Sequence, residues 1–349
     1  MLGHTFGLLG FSYAVIGRRS NLMLGLALLV AVLALAMTTG VLSSEPPPPT
    51  PPAPPDIPPG YTIIEGDIQV PIEWLAQPGL SAAWATNFWP NGIVPLEFDA
   101  NVAQWQRDAM SLAMLEWQIV ANVDFRPRGD GDANYVHIQA STENSSAVGM
   151  QGGMQIINIF DWNVRFIMVH ELGHCLGLWH EQSRPNRDTF VIINLSNIES
   201  GMAHNFDKHS EAGQYPPNGY DFDSLMHYGQ CAFSTNPTCP TGGGETITVL
   251  PPNQAWQTLI GQRNHLSQMD QLTMSFLYPR PNWRFVDGAY TGSTENGTFL
   301  MPYKQFPTGF AATPSGGTLW VQPGTYAAAG TYDKAMTIRA PLGGVALGP

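Results

Sequence analysis

The sequence has little sulfur and little charge. Its 349 residues include three cysteines, and only 12% of positions carry a charged side chain. Cys175, Cys231 and Cys239 form no CxxC pair, which argues against a thiolate-built structural zinc site. Cys231 and Cys239 bracket one polar loop and can close a local disulfide in an oxidising compartment. Cys175 reads as a small buried core residue. Lys and Arg number 15 against 27 Asp and Glu, a net charge of −12. No basic run occurs after the N-terminus, so nucleic-acid binding has no electrostatic footing. Helical patterning is nearly absent after Pro279, where Gly, Thr, Ala and Tyr dominate. Glycine and proline are plentiful, at 36 and 30 residues, and mark a loop-rich chain with an extended linker.

Arg18-Arg19 precede an uninterrupted apolar run, Leu22 to Met37. Positive charge before an apolar core reads as an export signal. Ala34-Leu35-Ala36 offers a small-x-small cleavage site, while Val41 and Leu42 extend the run toward a membrane span. Residues 1–44 are therefore a signal peptide or a retained anchor, and both stay open. Either places the protein outside the cytoplasm, secreted or anchored at the cell surface. Residues 45–60 are proline-dominated and form a stiff polyproline II spacer.

The stretch His170-Glu171-Leu172-Gly173-His174-Cys175-Leu176-Gly177-Leu178-Trp179-His180-Glu181 carries the chemistry. On a helix, His170 and His174 are four apart, so their rings share a face and can grip one metal ion. Glu171 can reach a metal-bound water without being a ligand. Gly177 tolerates positive φ, so it can end the helix and turn the chain back. That turn brings His180 in as a third nitrogen. Three protein ligands leave a position open, as catalytic rather than structural zinc sites do. The bland reading, a helix with scattered histidines, does not account for five fixed positions in this one order.

Around this stretch, Gly92–Phe98, Phe125–Arg128, Tyr135–Gln139 and Met154–Phe160 read as strands. Val102–Val120 reads as an amphipathic helix burying Val102, Trp105, Ala109, Leu112, Leu115 and Ile119. The histidine helix is expected over about Trp162–Leu176, and a closing helix within Asn264–Tyr278. His137 reads as a satisfied structural histidine. Thr318–Gln322, Met336–Arg339 and Gly344–Leu347 are short β-prone runs in residues 282–349, a small β-rich tail.

With these residues laid out, the chain resembles the astacin family of metzincin zinc endopeptidases from about Trp89 to Tyr278. The zinc motif continues as Ser183-Arg184-Pro185-Asn186-Arg187-Asp188, Ser224-Leu225-Met226-His227-Tyr228 resembles the family's Met-turn, and Leu266-Ser267 through Asp270 to Leu277-Tyr278 resembles its C-terminal helix. The resemblance implies an α+β fold: a two-lobed metzincin domain with a twisted mixed sheet, long helices and an irregular C-terminal lobe. It implies one Zn2+ per chain on His170, His174 and His180, with Glu171 as general base. Met226 would form an apolar floor. Tyr228 would contact zinc at rest and swing to stabilise the oxyanion. Glu181 would structure the site, and Met154–Ile159 would be the edge strand that pairs with substrate. Ile64-Glu65-Gly66-Asp67-Ile68 resembles the family's inhibitory prodomain motif, with Asp67 on the metal. The family's two catalytic-domain disulfides are missing: the corresponding stretches hold Asn122, Asn144 and Trp162, and no cysteine follows Tyr278.

The tail resembles the start of a pectate-lyase-like parallel β-helix. With about two rungs, it must dock on the catalytic domain, be completed by a partner or lack order. The expected organisation is residues 1–44 signal or anchor, 45–60 linker, 61–80 inhibitory prosegment, 81–281 catalytic domain and 282–349 tail. The expected activity is hydrolysis of protein or peptide substrates. A rival reading is a catalytically silent surface protein that binds through its tail. Degenerate enzymes usually lose a ligand or the base, and here every one is present.

Overall fold

The structure is a computed structural model describing residues 57–73, 87–209 and 215–348. The Leu22–Met37 run, most of the proline spacer and residues 74–86, which include the end of the expected prosegment at residue 80, lie outside the described residues. Among the described residues, no helix is long and apolar enough to cross a membrane.

The first strands, β1 (Tyr61–Ile64) and β2 (Ile68–Pro71), form an antiparallel hairpin. Next come β3 (Ile93–Phe98), helix α1 (Gln104–Val120), β4 (Asp124–Pro127), β5 (Tyr135–Ala140), β6 (Ser145–Ala147) and β7 (Met154–Ile159). Helix α2 (Arg165–Cys175), β8 (Val191–Ile193), β9 (Ile247–Val249) and helix α3 (Gln268–Leu277) follow. One seven-stranded sheet has the order β1-β2-β6-β7-β5-β3-β4. Its pairs β3–β4, β3–β5 and β5–β7 are parallel, while β6 runs antiparallel to β7. The hairpin joins by parallel pairing of Ile68 with Ser146 and Gln69 with Ala147.

This order corrects one expectation. Strand β7 is flanked on both sides, so it is not an edge. Without the β1–β2 hairpin, the outer strand on that side of the sheet is β6, a Ser-Ser-Ala segment whose three residues are all buried. Such a segment has no apolar alternation for a sequence pattern to register.

Helix α1 also presents a different face. Met110, Ala113, Met114 and Trp117 are buried, whereas Trp105, Leu112, Leu115 and Ile119 are roughly half or more exposed. Both stripes are apolar, so periodicity cannot separate them. Packing does: the Trp117 indole donates to the Val169 carbonyl at 2.9 Å, tying α1 to α2. Gly173 on α2 makes the approach possible. A Cβ there would lie 2.9 Å from Met226 Sδ and 3.2 Å from Trp117 Cζ2.

At two of the stretches where the family carries disulfides that this sequence lacks, hydrogen bonds join the chain. Asn122 N–H donates to the Tyr278 carbonyl at 2.9 Å. The Asn144 side chain accepts from Phe160 N and Asp161 N and donates to Asp161 Oδ2. Cys231 and Cys239 are bonded to each other, and Cys175 is free and buried.

The tail holds β10 (Trp283–Val286), helix α4 (Phe306–Ala312), β11 (Thr318–Val321), β12 (Gly324–Ala327), β13 (Thr337–Arg339) and β14 (Val345–Gly348). β10, β11 and β13 stack in parallel, as do β12 and β14. Helix α4 was not expected. Its sequence, FPTGFAA, has a proline in the first turn and a mid-helix glycine that weaken the local signal. Phe306 and Phe310 secure it by packing with Val286, Leu319 and Val321. The tail packs on α3, where Phe276 meets Phe285 and Trp320 with ring centroids 5.1 and 4.9 Å apart.

Candidate metal centre

Helix α2 ends as the glycine predicts. Gly177 has φ +114°, and Leu178 N–H closes onto the Gly173 carbonyl. The chain reverses, and His180 returns beside His170 and His174. All three rings are buried. Their Nε2 atoms converge: His170 to His174 is 3.1 Å and His170 to His180 is 3.2 Å.

The outer nitrogens explain this convergence. His170 Nδ1 faces the Leu225 carbonyl at 2.9 Å, and His174 Nδ1 faces the Leu178 carbonyl at 2.7 Å. A carbonyl only accepts, so each Nδ1 carries the proton and each Nε2 turns a lone pair inward. His180 Nδ1 donates in the same way to Glu65 Oε2 at 2.7 Å. Three lone pairs facing one another repel unless a cation lies among them. Two ligands on a tetrahedral ion with bonds of about 2.0–2.1 Å lie about 3.3 Å apart, close to the observed spacings. The donor set, three imidazoles and a carboxylate, suits zinc.

That carboxylate is Asp67, from the turn of the β1–β2 hairpin. Its oxygens lie 3.2 Å from His170 Nε2, 3.3 Å from His180 Nε2 and 3.8 Å from His174 Nε2. Asp67 and the three histidines are a group able to hold one ion. Gly66, at φ +75°, lets the hairpin turn approach Phe233, which a Cβ would meet at 2.8 Å. Ile68 and Val70 seat the hairpin against Val148 and Trp179.

Burial sets the protonation of the neighbours. It lowers His170 to about 4 and His174 well below its ordinary value, which keeps both neutral as ligands must be. Burial opposes a charge on His180, but Asp67 and Glu65 outweigh it and raise the ring to about 9, so without a metal its Nε2 would carry a proton that a bound cation replaces. The same two carboxylates favour any cation at the Nε2 cluster. Burial pushes Glu171 well above the ordinary carboxyl range and Asp67 adds to the shift. Glu171 Oε2 is buried without a hydrogen-bond partner.

The other expected residues fall around this cluster. Met226 is buried beneath α2, against the space left by Gly173. The Tyr228 ring lies 4.6 Å from that of His180, and its hydroxyl donates to the Glu65 carbonyl. Glu181 accepts from Arg184 Nη1 at 2.9 Å and from Asp221 N at 2.8 Å. Three contributors had not been expected. Asp270 accepts from Ser224 Oγ, Leu225 N and Ser267 N, so α3 holds the segment whose carbonyl orients His170. Glu65 carries the outer bond of His180. His209 bonds the other Glu65 oxygen and packs on Trp179. Asp270 lies in a motif that was recognised, and Glu65 lies in the hairpin motif. His209 sits in an irregular loop with no signal of its own.

A mixed sheet backing a helix that presents two histidines, a third histidine after a glycine turn and a buried glutamate beside them define a metal-dependent hydrolytic domain. A family model for the astacin peptidases matches residues 82–279. The chain belongs to that family. It is 34% identical over 197 residues to zinc metalloproteinase nas-13 of Caenorhabditis elegans, covering 56% of this chain and 42% of that protein. It is 34% identical over 254 residues to human Tolloid-like protein 1, covering 69% of this chain and 24% of that protein. Among solved structures, high choriolytic enzyme 1, a hatching enzyme zinc-protease from the medaka Oryzias latipes, is 30% identical. That match covers 56% of this chain and 94% of that one with a TM-score of 0.49. The chain thus spans less than half the length of these two curated relatives.

Proposed function

We propose that the chain is a zinc-dependent endopeptidase acting on proteins or peptides outside the cytoplasm, and that it is made as a latent zymogen. The carrying observation is the Asp67 carboxylate among three inward-facing Nε2 atoms. The proposed organisation is residues 1–44 signal or anchor, 45–60 linker, 61–80 prosegment, 81–281 a two-lobed catalytic domain and 282–349 a β-helix-like tail.

His170, His174 and His180 would hold the metal. Zinc, when bound, polarises a peptide carbonyl and lowers the pKa of water toward ~7. Glu171, beside the first ligand, accepts a proton from the attacking water and returns it to the leaving amine. Its lack of a hydrogen-bond partner leaves one carboxylate oxygen available for that transfer. Tyr228 donates to the developing oxyanion once its hydroxyl leaves the Glu65 carbonyl. Latency has three supports: the Asp67 carboxylate stands among the three Nε2 atoms and would exclude the attacking water, Tyr228 is engaged elsewhere, and β2 covers β6. With the hairpin gone, β6 offers its free backbone groups to an extended substrate.

The test is peptide hydrolysis by the zinc-loaded full chain, before and after removal of the hairpin. Activity is expected only after removal. Glu171→Gln should retain zinc and hydrolyse nothing in either state. Wild-type rates from that variant would sink the mechanism. Silence of the wild type in both states, with zinc bound, would favour a non-catalytic scaffold.

A further inference from the structure

Two of the three metal-site histidines are oriented by their own domain. His170 leans on the Leu225 carbonyl and His174 on the Leu178 carbonyl. The third is different: His180 Nδ1 bonds Glu65, a residue 115 positions away in the hairpin. Glu65 is 1% exposed, so water does not share that bond. Its second carboxylate oxygen bonds His209 Nε2. His209 is itself buried, with its ring centroid 4.2 Å from that of Trp179 and its N–H on the Ser183 carbonyl at 2.8 Å. Trp179 precedes His180, so the two histidines that Glu65 joins stand on one packed unit. The backbone at Glu65 has φ +50°, a left-handed conformation that a non-glycine residue seldom adopts. The tight turn between β1 and β2 sets this conformation at Glu65 and Gly66 together, and it aims the Glu65 carboxylate at the two histidines.

We infer that Glu65 is a positioning residue for the metal centre of the latent chain, fixing the ring of His180 while His209 fixes Glu65. The inference rests on reading residues 61–71 as an inhibitory hairpin and goes beyond it: Asp67 fills the site, whereas Glu65 builds one wall of it. The latent chain then holds zinc with all three imidazoles pre-oriented. Removal of the hairpin frees one of them at the moment the site opens. Partners that orient a ligand from outside are generally worth about 10–100-fold in metal affinity, which sets the expected size of the effect.

The test uses the zinc-loaded full chain with a specific protease site placed between residues 73 and 87, and follows zinc release to a chromogenic chelator. Glu65→Ala should release zinc about 10-fold or more faster than the wild type. Glu65→Gln keeps one oxygen acceptor and should recover part of the loss. His209→Phe keeps a ring against Trp179 but not the bond. It should speed release in the same direction, with little added effect in the double variant. After cleavage and removal of the hairpin, the wild-type and Glu65→Ala proteins have the same sequence and must release zinc at one rate. Wild-type release from full-length Glu65→Ala would overturn the inference, and so would wild-type release from His209→Phe. The two readings fail differently. A wild-type full chain as active as its cleaved form would refute the inhibitory hairpin. A latent wild type with unchanged zinc release in the variants would refute only the role of Glu65.

Discussion

Asp270→Ala tests whether α3 supports the metal centre through the Met-turn. The Asp270 carboxylate is 5% exposed and accepts three bonds: Ser224 Oγ at 2.7 Å, Leu225 N at 2.8 Å and Ser267 N at 3.0 Å. Alanine removes all three acceptors. Leu225 N and Ser224 Oγ would stay buried, and each unsatisfied group costs about 1–3 kcal/mol. The capping box at Ser267 also loses one of its two bonds, worth about 0.5–1 kcal/mol. One term opposes these. Burial raises the pKa of Asp270, so its removal relieves a desolvated acid near Asp221. The three donors outweigh that relief, and the expected loss is about 2–4 kcal/mol. The effect should reach the metal, because the Leu225 carbonyl is the partner of His170 Nδ1. Zinc affinity should fall about 10–100-fold. Urea unfolding of the chelator-treated protein measures the first quantity, and competition with a chromogenic chelator measures the second. A loss under about 0.5 kcal/mol, within the range of ordinary surface substitutions, together with unchanged zinc affinity, would refute the argument.

Gly92 has φ +73°, and a Cβ there would sit 1.9 Å from the Asn122 carbonyl oxygen. Gly92→Ala combines left-handed strain of about 1–2 kcal/mol with a backbone clash of about 1–3 kcal/mol, so the thermal midpoint should drop sharply. An unchanged midpoint would contradict that packing. Burial, then Asp270 and Glu181, raise Asp221 to about 8. The folded protein thus keeps a proton that the unfolded chain releases near ~3.9, so this group's contribution to stability falls as pH rises from about 4 to about 8 and then levels off. Asp221→Asn should flatten that part of the slope when urea midpoints are compared at pH 5 and 8, and parallel slopes would count against it.

What the sequence showed best were groups whose geometry is set within a dozen residues. The spacing from His170 to His180 needs only a helix and one glycine turn, and the Ile64–Ile68 turn between strand formers needs only a hairpin. Less visible were features chosen by distant partners. Glu65 and His209 are 144 positions apart, and neither has meaning without the other. The buried side of α1 was ambiguous because Trp105 and Trp117 are equally apolar and only contact with Val169 selects between them. Strand β6 carries no apolar pattern, yet it sets the boundary of the sheet and hence the place where the hairpin joins.

The bonds at Asn122 and Asn144 have a consequence for how the fold responds to reduction. At two stretches where the family carries disulfides, this chain is joined by amide hydrogen bonds that thiols do not attack. The one disulfide closes a short loop, Cys231 to Cys239, for which chain entropy alone gives about 2–3 kcal/mol. Loss of that bridge would loosen the segment just after Tyr228 and leave the metal-site histidines without any covalent change. Reduction of the Cys231–Cys239 bridge would thus act on the loop after Tyr228 and leave the hydrogen bonds that orient His170 and His174 in place.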